Sequence, residues 1–107
     1  MEVEYDHPDL ERLAFDVCFR GRWTWEVKDK YQKVIVLLQT IIRRESLFPL
    51  SGMNFEAVPG KIKGQWRKKY DKQYSLRLDG RNRVVFTFIG PKENEHIVIT
   101  YVGDYHR

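Results

Sequence analysis

Between Thr24 and Arg44 the chain spaces Val27, Tyr31, Val34, Ile35, Leu38, Ile41 and Ile42 by three and four residues, with polar residues between them. Residues three or four apart share one helix face, so this stretch predicts an amphipathic helix with one apolar stripe. Thr24 suits its cap, and Arg43 and Arg44 put cations near its end, where the helix dipole favours them. A shorter helix precedes it. Asp6-His7-Pro8-Asp9 reads as its entry, with proline at the first helical position, and Leu10, Leu13, Ala14 and Val17 keep helical spacing until Gly21. Before that, Val3 and Tyr5 alternate with acids, the pattern of a short strand.

The period changes after Leu47. Pro49, Gly52, Pro59 and Gly60 make residues 47–60 a connection. Residues 74–79, 83–89 and 96–102 then read as strands joined by turns at 79–82 and 90–94. Connections this short predict an antiparallel meander, because parallel pairing needs a long crossover. Val84, Val85, Phe86, Phe88 and Ile89 make the middle strand apolar at nearly every position, so it should be central and covered on both faces. The pattern predicts an α+β fold: a helical hairpin packed on a small antiparallel or mixed sheet.

Burial then fixes where the arginines of this sheet point. Leu76 and Leu78 should share the core face with Val84, Phe86 and Phe88. Setting Leu78 opposite Val84 leaves residues 80–82 as a three-residue loop and puts Arg77 and Arg83 together on the other face. A two-residue loop would instead bury Arg83 among leucines, which is costly.

Length and composition narrow the class. With 107 residues, 42% of them apolar, the chain suits one domain, 1–107, with a packed core. No run of about 18 apolar residues is present to span a membrane. The acidic start lacks the layout of a secretion signal, and Cys18 is the single cysteine, so a cytoplasmic protein is expected. The net charge of +4 is unevenly spread. Residues 1–16 hold six acids and one base. Residues 60–83 hold the bases Lys61, Lys63, Arg67, Lys68, Lys69, Lys72, Arg77, Arg81 and Arg83 against Asp71 and Asp79. Such a block attracts polyanions, and Trp66, Tyr70 and Tyr74 within it offer rings on which unpaired bases can stack. For any one lysine, a solvated surface position is the simpler reading.

The last strand-like run stops at Gly103, and Asp104-Tyr105-His106 follow. With the two arginines, these groups suffice to cleave RNA through attack of its own 2′-hydroxyl, without a metal or cofactor. The unperturbed pKa of a histidine lies near working pH, so His106 is the candidate to move protons. Arg77 and Arg83 can brace the phosphate and stabilise its transition-state charge. Tyr105 can stack on a base or merely close the sheet edge, and Asp104 can orient His106, accept a proton, or be a simple turn acid. His7 and His96 lack such neighbours and read as structural. Trp23 and Trp25 read as core or partner-facing.

Leu50-Ser51-Gly52-Met53-Asn54-Phe55-Glu56, Tyr74-Ser75-Leu76-Arg77-Leu78, Asn82-Arg83-Val84-Val85-Phe86 and Asp104-Tyr105-His106 together resemble toxins of the RelE/ParE superfamily, most closely the HigB branch. The resemblance implies the toxin of a type II toxin–antitoxin system: a ribosome-dependent endoribonuclease acting on messenger RNA. It also implies neutralisation by a cognate antitoxin, usually a helix-turn-helix protein. Residues 60–73 are longer and more basic than the usual link in this family, so the phosphate-contacting role stays open among Lys61, Lys63, Lys68, Lys69 and Lys72. Two other functions compete. One is a non-catalytic, ParE-like inhibitor of a protein such as DNA gyrase, which would not need Asp104-Tyr105-His106. The other is a simple RNA-binding module built on the basic stretch.

Overall fold

The computed structural model describes residues 1–47, 55–58, 70 and 72–104. Five strands, β1 (Val3–Tyr5), β2 (Glu56–Val58), β3 (Gln73–Arg77), β4 (Arg83–Ile89) and β5 (His96–Gly103), form one sheet in the order β1-β5-β4-β3-β2. β1 pairs parallel with β5 and the remaining pairs are antiparallel, so the sheet is mixed and the fold is α+β. β4 is central, with Val84, Val85 and Phe86 all fully buried, as its unbroken apolar run requires. Within the connection 47–60 lies β2, whose three residues are too few to show a period.

Helices α1 (Pro8–Phe15) and α2 (Trp25–Thr40) cover one sheet face. Leu10, Leu13, Tyr31 and Leu38 pack there with Leu76, Val84, Phe86, Ile97 and Ile99. Pro8 opens α1, and His7 caps it, its Nδ1 accepting the Asp9 N–H at 3.1 Å. Thr24 caps α2, its hydroxyl oxygen accepting the Val27 N–H at 3.1 Å.

Both helices stop earlier than their apolar spacing suggests. The final carbonyls of α1 are taken by α2 rather than by further helix. Lys28 Nζ donates to the carbonyls of Leu13, Asp16 and Phe19 at 3.1, 2.6 and 2.5 Å, and Gln32 donates to that of Ala14 at 3.0 Å. Val17 therefore lies 79% exposed in the connection instead of on the stripe. α2 ends at Thr40. Ile41 is buried, but Ile42 is 86% exposed, and Arg44 leaves the helix to pair with Glu95.

The β3–β4 register differs by two residues from the burial argument: Leu76 lies opposite Val84, and Arg77 opposite Arg83. An even shift keeps every side chain on its face, so the core assignment survives. The cause is the turn. Asp79 Oδ1 accepts the N–H groups of Arg81 and Asn82 at 2.9 and 2.7 Å, and the Leu78 N–H donates to the Asn82 carbonyl at 2.8 Å. These bonds hold residues 78–82 together as the connection and end β3 at Arg77. Between β4 and β5, Val85 opposes Tyr101 while Phe86 opposes Ile99, which leaves Thr100 as the extra residue of a bulge. Beyond it Val102, not Tyr101, faces the helices. Among the described residues, no helix is long and apolar enough to cross a membrane.

Candidate functional site

The sheet face away from the helices is buried yet largely polar. It carries Gln73 and Ser75 from β3, Arg83 and Thr87 from β4, and Thr100 from β5, around a small apolar cluster of Val58, Val85 and Tyr101. The Thr100 hydroxyl donates to Gln73 Oε1 at 2.6 Å, and the Thr87 hydroxyl to the Lys72 carbonyl at 2.6 Å. The Tyr70 hydroxyl reaches Asp6 Oδ1, just beyond β1, at 3.1 Å. The end of the basic stretch therefore lies against the face that holds Arg83.

Arg77 and Arg83 stand directly opposite each other at one end of this sheet. Like charges in that position repel, which costs stability. Arg77 is exposed, whereas Arg83 is only 8% exposed, and its Nε and Nη1 have no hydrogen-bond partner among the described residues. The sequence pattern sets Arg83 beside Arg77 on the face away from the core. The structure keeps the shared face but buries Arg83, because β4 is the central strand. A buried guanidinium with unused donors, paired across the strands with a second arginine, has the chemistry to accept an anion.

On its other side Arg83 pairs with Gly103. Gly103 has φ +153°, and a Cβ there would stand 2.8 Å from Tyr101 Oη, so only glycine lets the Tyr101 ring lie over this position. The bulge brings Tyr101 to the arginine face and adds a phenol that sequence reasoning missed. Residues 97–102 are apolar almost throughout, so their pattern carried no alternation to reveal the change of phase. Asp104 follows, half-buried, at the same end of the sheet.

Tyr105, His106, Lys61, Lys63, Trp66, Arg67, Lys68 and Lys69 lie outside the described residues. Lys72 and Arg81 are exposed, the second in the Asp79 turn. Burial raises the Asp79 pKa, but hydrogen bonds from the Asn82 and Arg81 N–H groups outweigh it and hold the carboxyl below its usual range. Tyr74 is no stacking platform: its ring lies on the helix-covered face, 5.4 Å from Phe55 between centroids. Trp23 is buried, with its indole N–H donating to the Val102 carbonyl at 3.0 Å, while Trp25 is exposed. His96 pairs with Glu4 at 2.9 Å and His7 serves as a cap, so both have structural roles.

A concavity lies at the opposite end of the sheet, between Ile41–Glu45 and residues 90–96. Its charges are mutually compensated, with Arg44 held on Glu95 and over the Phe88 ring. No protein-family model matches the chain, and no curated protein matches it significantly.

Proposed function

We propose that this protein is a RelE/ParE-like toxin of the HigB type, an endoribonuclease that cleaves messenger RNA on the ribosome and is neutralised by a cognate antitoxin. The observation that carries the reading is the Arg77–Arg83 pair, two opposed cations, one buried with idle donors, beside the strand end that leads into Asp104-Tyr105-His106. A folded chain retains such an unfavourable arrangement where it binds an anion.

In the proposed reaction the 2′-oxygen attacks the adjacent phosphorus as its proton leaves. The bond from phosphorus to the 5′-oxygen breaks, and that oxygen receives a proton. The products are a 2′,3′-cyclic phosphate and a free 5′-hydroxyl. His106 moves protons, Asp104 orients it, and Arg77 and Arg83 stabilise the charge gathering on the phosphate oxygens. Tyr105 and Tyr101 hold the nucleotide.

The test is cleavage of messenger on translating ribosomes by wild-type protein, His106→Ala and Arg83→Met. Each variant should fold and lose about 100-fold or more in cleavage rate. Wild-type rates in folded His106→Ala would overturn the nuclease assignment.

A further inference from the structure

The connection between the helices presents aromatic and cationic groups that the proposed reaction does not use. Phe15, Val17 and Trp25 are 59%, 79% and 55% exposed, an unusual concentration of apolar surface for so short a segment. From Val17 to Trp25 the chain carries Arg20 and Arg22 and no acid. The Arg20 guanidinium stands 5.8 Å from the Trp25 ring centroid, and that of Arg22 lies 5.0 Å from the Trp23 ring.

This segment is held firmly in place. Lys28 fastens the Asp16 and Phe19 carbonyls, Arg20 Nη1 donates to the Trp23 carbonyl at 2.6 Å, and the Cys18 N–H donates to Asp16 Oδ1 at 3.0 Å. It is also tied to the candidate site. The Trp23 indole bonds the Val102 carbonyl, one residue before Gly103, which pairs with Arg83. Exposed rings on a fixed scaffold bind with little loss of conformational freedom.

We propose that Arg20, Arg22 and Trp25 form a second RNA-contacting surface, on which the single strand flanking the cleaved bond stacks a base on Trp25 and sets its phosphates against the two arginines. The proposal rests on the anion-site reading of Arg77 and Arg83. Two features favour an RNA strand over a protein partner: a cation beside each exposed or underlying indole, and the absence of any acid from Val17 to Trp25. Base stacking on aromatic faces with arginine nearby is how unpaired strands are held without sequence preference.

The experiment uses the full chain and a fluorescein-labelled, fully 2′-O-methylated RNA of about 12 nucleotides, a length within the range that such surfaces hold. This RNA cannot be cut by 2′-hydroxyl attack. Trp25→Ala and the double variant Arg20→Ala/Arg22→Ala should each weaken its binding about 10-fold, the loss expected for one stacking platform. A methylated trinucleotide should bind wild type and variants alike, and Trp25→Phe should retain part of the affinity. Wild-type affinity of folded Trp25→Ala for the long RNA overturns the proposal, even where cleavage persists, and assigns the surface to a protein partner. Conversely, binding that depends on Trp25, in a protein that cuts no RNA on or off the ribosome, sinks the nuclease reading and leaves this surface standing.

Discussion

Arg83 shows how a single position can oppose stability while serving a site. The side chain is buried, lies opposite Arg77 across the strands and leaves two nitrogens without partners among the described residues. Arg83→Met keeps the volume and removes the charge, so it should raise stability by about 1–3 kcal/mol while lowering cleavage. Urea unfolding checks this: the midpoint should rise at unchanged slope. Tyr5 offers a pH counterpart. Burial, aided by the nearby Glu11 charge, pushes its pKa up to about 12, and its hydroxyl has no partner among the described residues. The folded state therefore keeps a proton that the unfolded chain releases near pH 10. The stability this contributes is complete below pH 10 and is lost as pH rises towards 12. Tyr5→Phe should leave stability at pH 7 unchanged or slightly higher and should reduce the alkaline loss. The share from buried Tyr31, whose pKa burial also raises, remains.

At the scale of elements, the helical hairpin depends on one side chain. Lys28 is 5% exposed and spends its three donors on the carbonyls of Leu13, Asp16 and Phe19. These groups lie at and just after the negative end of α1, which compensates the buried charge. Lys28→Met leaves three carbonyls without that donor and should cost about 2–4 kcal/mol, read as a lower urea midpoint. The same bonds set the connection that carries Arg20 and Trp25, so the variant should also disturb Trp25 fluorescence. The spacing of α2 is plain in its sequence, but the end of α1 is not. Val17 continues the apolar period, yet carbonyl capping by a lysine 15 residues beyond Leu13 ends the helix first.

For the whole molecule, the charge distribution sets the response to salt. Arg81 is exposed in the turn beside the arginine pair, and Lys72 is exposed at the other end of β3, where its carbonyl accepts the Thr87 hydroxyl. Replacing both with alanine should weaken RNA binding and reduce the slope of log affinity against log salt by roughly 0.7 for each phosphate that is no longer neutralised. Cleavage should follow binding in these variants, in contrast to Arg83→Met. Aligning the 2′-oxygen, phosphorus and leaving oxygen of a free strand costs entropy that a ribosome holding the messenger removes in advance. Naked RNA should therefore be cut slowly and ribosome-bound messenger quickly, when both are measured at the same salt.

The sequence by itself determined the features that rest on local period and composition. These are the helix pair with its Pro8 and Thr24 starts, four of the strands, the central place of β4, and the shared face of Arg77 and Arg83. Each follows from burial of an apolar stripe, and the arginine face survives a two-residue difference in register because side chains alternate with period two. Tertiary structure decided what depends on distant partners. The Asp79 turn set the register, the strand order buried Arg83, and the bulge at Thr100 turned Tyr101 to its side. Local pattern cannot encode these outcomes, since hydrogen bonds and strand neighbours far apart in the chain select among arrangements that one apolar run fits equally well.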